Sequence, residues 1–355
     1  MDHSLTQEEQ LVADTAARLF ADNFSTERLR AFIADPARFP PDAAALGESG
    51  LLGVAAPYAA DGADMGAVGA MQIAVAAGNR LVPYPVSDCM IAAALLGEAR
   101  PDLAREVIAG RCQVVFPADS TSALRSNGGK LYGPIDNLPW GLSAQWTIVE
   151  AEIDGAAAHV LVSLEAAGVS RTARKSIDPG CPAAGVVFDG VAVSHDDVLG
   201  AAEPKWRRLR LIMASAEMLG ASRAALDLAV DYMKVRKQFG QEIGKFQALK
   251  HLAADAAVWV ENVRVATEHA AWAHDAGDHE ATMYATIAKG YASDYARRVV
   301  EHSLQAHGAI GFTWEYDLHL YLRRVLRLSA SSGTANDHRE SIAAMLDGIL
   351  SEAEA

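Results

Sequence analysis

The hydrophobic period of this chain changes twice, and those two changes limit its fold more than any other feature. From Thr6 to about Gly110 apolar residues recur at helical spacing; in "TQEEQLVADTAARLFADNF", Val12, Ala16, Leu19 and Phe20 share one face. Between about Gly110 and Ala201 the runs become short and β-branched, as in "QVVFPADS", "WTIVEAEI", "AAHVLVSLE", "AGVVFDGVAV" and "VLG", with Gly, Pro, Asp and Asn between them. After Pro204 the helical pattern returns, over 205–236, 246–276, 280–307, 317–328 and 337–352. That order predicts a mainly α protein with a small β domain. An N-terminal α-helical domain spans 1–111, a middle β domain 112–201, and a C-terminal helical bundle fit for four long helices 202–355.

Local signals sharpen this reading. Thr6 followed by Glu9 spells a capping box at the first helix. "LGESGLLGVAAPYAADGADMG" is a turn punctuated by Gly and Pro, and "AVGAMQIAVAAGNRLVPYP" is apolar all round, so it predicts a helix buried by a partner element. "AHDAGDHEA" and "AHGAIGFTWEYD" read as loops, each with a glycine where a helix end favours a left-handed residue.

Composition excludes several function classes. The formal charge of −14 would repel a phosphate backbone, so nucleic acid is not expected as a partner. Cys89, Cys112 and Cys181 are widely spaced, without CxxC or Cys/His pairing, which predicts neither a disulfide framework nor a metal site, and a reducing compartment. "MDHSLTQEEQ" carries acids where a signal peptide needs bases, and no apolar window is long enough to cross a bilayer; the expectation is a soluble, cytoplasmic chain with no membrane partner.

Two longer motifs carry chemistry. "YMKVRKQFGQEIGKFQALKHLAAD" resembles the acyl-CoA dehydrogenase signature of Tyr, then Arg-x-x-Phe-Gly, then Ile and Phe-Gln. "QAHGAIGFTWEYDLHLYLRR" resembles the same family's later Gln-x-x-Gly-Gly-x-Gly-[Phe/Tyr] loop, and "LTQEEQ" and the "GLLG…P…G" turn look like its opening helix and first turn. The resemblance covers nearly the whole chain, in the right order. It implies the acyl-CoA dehydrogenase fold. It also implies an oxidoreductase that takes hydrogens from Cα and Cβ of an acyl-CoA thioester, a hydride passing to FAD and a proton to a carboxylate.

In that family the arginine and phenylalanine of the first motif, and the glutamine of the second, reach across a subunit interface to a neighbour's FAD. Here they are Arg236, Phe239 and Gln305, followed by Gly308 and by Ala309 in place of the second glycine. A guanidinium offers a planar fork to pyrophosphate, a phenyl ring covers an aromatic or ribose face, and an amide fixes a polar edge. Read without the resemblance, Arg236 is a cation complementing a helix C-terminus.

The catalytic positions depart from the pattern. The family's usual glutamate falls on Ser332 of "Ser331-Ser332-Gly333-Thr334", and a hydroxyl without an adjacent histidine is no base. The alternative base position of a minority of the family falls near Arg210; Glu203 and Glu217 stand about two turns either side and read as solvent-facing helix charges. Of the family's own-chain flavin cradle, Asp119 and Ser120 look like a remnant, and Trp140 reads equally as core or as cofactor wall. Thr334 and Asn336 stand where the family loop touches its own FAD, although Asn336 and Asp337 are also good N-caps. "KWRRLR" at 205–210 suits either CoA phosphates or a solvated helix start.

The residues offered to a neighbour's flavin are kept and those for the chain's own flavin and substrate are lost. The resemblance is greatest to the non-catalytic type of subunit in actinobacterial heteromeric acyl-CoA dehydrogenases of steroid side-chain β-oxidation. It implies a heterotetramer with a related chain that carries the base, a shared FAD, an acyl-CoA substrate and electron-transfer flavoprotein as acceptor. Two other readings stay open: a homotetrameric dehydrogenase using Glu217 as an atypical base, and a flavin-free scaffold of the same fold.

Overall fold

The computed structural model describes residues 5–38, 41–119, 124–202 and 204–353. Six helices come first: α1 (Gln7–Asn23), α2 (Thr26–Ala34), α3 (Ala43–Glu48), α4 (Gly66–Asn79), α5 (Val86–Ala99) and α6 (Pro101–Ile108). Thr6 and Glu9 close the predicted capping box, the Glu9 N–H donating to Thr6 Oγ1 and the Thr6 N–H to Glu9 Oε2. As its uniform apolarity predicts, α4 is buried along most of its length.

Eight strands follow, β1 (Val114–Val115), β2 (Arg125–Asn127), β3 (Lys130–Pro139), β4 (Trp146–Ile153), β5 (Ala156–Ser163), β6 (Val169–Arg174), β7 (Ala183–Ala192) and β8 (Val198–Ala201). They form one sheet in the order β6-β7-β3-β2-β4-β5-β8, with β1 parallel to β4 off that path. The central pair β4–β5 runs in unbroken antiparallel register from Trp146–Ser163 to Ile153–Ala156. Three strands were not expected from sequence. β3 carries two prolines and a glycine and breaks register against β7 at two places, while β6 is exposed along nearly its whole length.

Five long helices complete the chain: α7 (Pro204–Val235), α8 (Gln247–Asp275), α9 (Ala281–His307), α10 (Leu318–Ala330) and α11 (Ala335–Ala353). α7 and α9 pack along each other and α8 on both, and α4 crosses α7 so closely that a Cβ on Gly220 would lie 1.9 Å from the Val75 carbonyl oxygen. Only glycine admits that approach. A second tie between the N-terminal helices and the bundle is Asp275, whose carboxylate accepts the Ala67 and Val68 N–H groups at the start of α4 (2.7 and 2.9 Å). The three cysteines are free thiols buried in the core, and no described helix is long and apolar enough to cross a membrane.

Candidate functional site

The residues singled out by sequence separate into two places. Ser332, Arg210, Glu217 and Trp140 line one small cavity of about 60 Å³, walled by the start of α5, the 116–118 segment, α7 and α10. Arg236, Phe239, Gln305, Gly308 and Ala309 lie on an exposed face of the bundle.

In the cavity, Ser332 is held at φ +59 with its N–H donating to the Ala118 carbonyl (2.8 Å), and Ser331 Oγ donates to the same oxygen. Arg210 reaches from α7 to the Pro117 carbonyl and lies over the Phe116 ring. Glu217 corrects the sequence reading. It faces inward rather than to solvent, because Oε1 accepts from Ser87 Oγ on α5 (2.5 Å) and Oε2 lies 3.6 and 3.9 Å from the guanidinium nitrogens of Arg324 and Arg327 on α10. Both its oxygens are engaged. Asp88, also on α5, accepts the Phe116 N–H at 3.4 Å; its withdrawal from water pushes the carboxyl up to about 6 against the pull of Arg210.

Arg324 is 3% exposed and donates from Nε to Asp178 Oδ2 at 2.5 Å, and Arg327 donates to the same oxygen at 3.2 Å. Burial alone would raise the Asp178 pKa, but the two guanidiniums outweigh it and hold the carboxyl below its ordinary range. None of these pairs was legible in sequence, since their partners stand more than a hundred residues apart.

The segments named for an own-chain cradle meet at the cavity's edge, where Ala118, Pro139 and Ser331 line both this cavity and a neighbouring one of about 450 Å³. Trp140 is core: 6% exposed, tilted against Phe32, its N–H donating to the Pro182 carbonyl. Asp119 is exposed, and Ser120 and Glu203 lie outside the described residues. Thr334, rather than Asn336 or Asp337, is the cap of α11: its Oγ1 and N–H both donate to Asp337 Oδ2 at 2.8 Å, while Asn336 Oδ1 accepts from Arg339. Asp337 supplies the return bond because a carboxylate three residues on can reach the cap N–H. The basic run 205–210 divides as well. Arg210 turns inward and Arg208 donates to Thr282 Oγ1 at 3.2 Å.

On the outer face a hairpin, β9 (Lys237–Gln238) with β10 (Gln241–Glu242), was missed because its strands are two residues long. Phe239 and Gly240 form its turn at φ +52 and +81. The Phe239 ring stands 92% exposed, its edge toward Phe246 at 6.1 Å. Arg236 begins the hairpin, its N–H closing the last turn of α7 on Tyr232; its guanidinium makes no ion pair with any described residue. The Tyr232 ring stacks on His307 at 4.3 Å, and His307 bonds to the Tyr316 hydroxyl at 2.9 Å. This stack brings the C-terminus of α9, with Gln305, beside the hairpin. Gly308 then leaves the helix at φ +66, followed by exposed Ile310, Phe312 and Trp314.

This face offers the cation, the aromatic cover and the amide that part of a dinucleotide cofactor needs, and among the described residues the Arg236 guanidinium has no ion pair that would compete. The cavity's walls are mixed, with Ile91, Phe116, Met213 and Leu328 beside Asp88, Arg210, Glu217, Arg324 and Arg327, and at about 60 Å³ it is too small for an acyl chain.

Comparison with known proteins agrees with the fold. Residues 207–346 match the family described as acyl-CoA dehydrogenase, C-terminal domain. Acyl-CoA dehydrogenase FadE34 of Mycobacterium tuberculosis is 30% identical over 297 residues, 80% of this chain, but this chain spans only 39% of FadE34. Acyl-CoA dehydrogenase IpdE2 of the same organism is 27% identical over 90% of this chain and 91% of its own length. Among solved structures, the ChsE4–ChsE5 complex from Mycobacterium tuberculosis superposes with a TM-score of 0.90 over 98% of this chain and 99% of that one, at 23% identity. From the matched C-terminal domain, the relatives' shared sequence and the three-part fold, the chain belongs to the acyl-CoA dehydrogenase family.

Proposed function

We propose that this chain is the subunit without a catalytic base in a hetero-oligomeric, FAD-dependent acyl-CoA dehydrogenase, and that it completes a flavin site held mainly by a related partner chain. One contrast carries the reading: Arg236, Phe239 and Gln305 are exposed on the bundle, while at the cavity Ser332 stands in the glutamate's place, Glu217 is tied to Ser87 and Arg324, and Asp88 accepts the Phe116 N–H. That the solved neighbour ChsE4–ChsE5 is a complex of two different chains is in keeping with it.

FAD, when bound, accepts the hydride from an acyl-CoA thioester. Toward it, Arg236 supplies a charged fork for pyrophosphate oxygens, Phe239 covers a planar face, and Gln305 donates or accepts at a polar edge from the rigid end of α9. Gly308 and Ala309 shape the backbone beside that edge. The α-proton is taken by a carboxylate of the partner, since Ser332 has no group beside it able to receive its proton. Electron-transfer flavoprotein is the acceptor in this scheme.

The test is the visible spectrum and native mass of the chain purified alone and co-expressed with related family members. Flavin and a tetramer should appear only with the partner, and Arg236→Ala should weaken flavin retention by the complex about tenfold, the worth of a charged hydrogen bond. Unchanged flavin content and turnover in the Arg236→Ala complex would sink the shared site. A lone chain that is yellow and tetrameric would make it a self-sufficient dehydrogenase instead.

A further inference from the structure

Three acids and three bases meet at or beside the small cavity, and their charges balance: Asp88, Asp178 and Glu217 against Arg210, Arg324 and Arg327. The elements they join are remote from one another. Arg324 takes Asp178 from the loop before β7 (2.5 Å), Glu217 from α7 (3.6 Å), and the Leu81 and Val82 carbonyls ahead of α5 (3.5 and 3.3 Å). Arg327 repeats the contacts to Asp178 and Glu217, and Glu217 continues to Ser87 on α5. One network thus touches the N-terminal helices, the sheet region and the bundle.

Packing does not explain it. Apolar side chains of similar volume would stabilise such a site as well or better, so a buried charge network is a poor choice for stability alone. Ligand binding does not explain it either, because the charged side chains leave this cavity only about 60 Å³ and an acyl chain needs more room. We propose that the network is a latch: it seals this cavity against an acyl chain and fixes the sheet region and α10 against α5 and α7, so that the three regions keep one arrangement with no ligand between them. The latch rests on the reading that this chain does not use its own cavity for catalysis.

Cys181 reports on it. The thiol is 1% exposed, its N–H donates to the Asp178 carbonyl at 3.0 Å, and burial pushes it up to about 12, far from the thiolate that reacts. Cys112, buried in the separate core under the N-terminal helices, serves as the internal control, whereas Cys89 directly follows Ser87 and Asp88 on α5 and belongs with the network.

The experiment labels the full-length chain with iodoacetamide and reads each cysteine by mass spectrometry. Asp178→Ala removes an acceptor shared by both arginines; Cys181 labelling should rise about tenfold or more, with Cys112 unchanged. If Cys112 rises together with Cys181, or neither does, there is no latch. Should Asp178→Ala fail to fold, Glu217→Gln keeps the volume and must give the same selective rise. In the unaltered chain, millimolar octanoyl-CoA should leave Cys181 labelling unchanged; slower or faster labelling would mean that an acyl chain enters, and would overturn the seal. These readouts use the lone chain, so they fail or succeed independently of the flavin content of any complex.

Discussion

The inner cavity and the outer hairpin face of this molecule treat their polar and aromatic groups in opposite ways. Around the cavity every acid has found a base or a donor, and the charges close on one another across three regions of the chain. At the face an arginine, an amide and a phenyl ring are left to solvent. Groups satisfied internally serve the fold. Polar and aromatic groups that a rigid scaffold leaves exposed and unsatisfied point to something outside the chain. On the proposed function, the same polypeptide has given up one site and kept another.

The hardest test of this contrast is Arg324→Ala. It would leave Asp178 unpaired but for Arg327, and breaking a buried pair by removing one partner typically costs about 3–5 kcal/mol. Urea unfolding of the lone chain should show that loss. A loss below about 1 kcal/mol would place the network with ordinary surface ion pairs and erase the difference between the two regions.

A smaller effect tests the loop that carries Ser332. Lys289 on α9 is fully buried, and Nζ donates to Ser293 Oγ (3.0 Å), the Ser329 carbonyl (3.4 Å) and the Gly333 carbonyl (3.2 Å), which ties down both ends of the 331–333 turn. Burial lowers its pKa from 10.5 to about 8. Below that pH the lysine is protonated whether folded or unfolded and contributes no pH dependence. As pH rises from about 8 to 10.5 the unfolded chain keeps a proton that the folded chain has released, so folding stability increases across that window, by at most roughly 3 kcal/mol. Unfolding free energies at pH 7.5 and pH 10 should show the rise in the parent chain and its absence in Lys289→Met. Equal rises in both would assign it to another group.

What could be read from sequence followed the range of the interactions. The five C-terminal helices lie within two residues of their expected limits because periodicity and glycine stops are local. The β3 and β6 strands were hidden, one by two prolines that nevertheless pair in register with Val187 and Ala183, the other by a polar sequence that is exposed along nearly its whole length. Arg236, Phe239 and Gln305 were found only through their motifs, since nothing in composition distinguishes them from other surface residues. Glu217 was misread for the opposite reason: the helix pattern on α7 says nothing of Ser87, Arg324 and Arg327, which arrive from other parts of the chain. Pairing of that kind is written in the tertiary structure alone.

The mildest change separates the two regions most cleanly. Phe239→Gly removes a ring that touches little of its own chain and places at φ +52 the residue that adopts this conformation without strain. Relief of that strain opposes the added freedom of the unfolded chain, so the lone chain's unfolding free energy should move by less than about 1 kcal/mol in either direction. The complex should respond differently. Loss of an aromatic cover is worth about 0.5–1.5 kcal/mol beyond buried area, so flavin affinity should fall roughly threefold to tenfold. Thermal unfolding of the lone chain and flavin titration of the complex measure the two halves of this expectation. If flavin affinity holds while the lone chain loses stability, Phe239 belongs to the fold after all, and the outer face must be read as the cavity is, as a surface the chain keeps for itself.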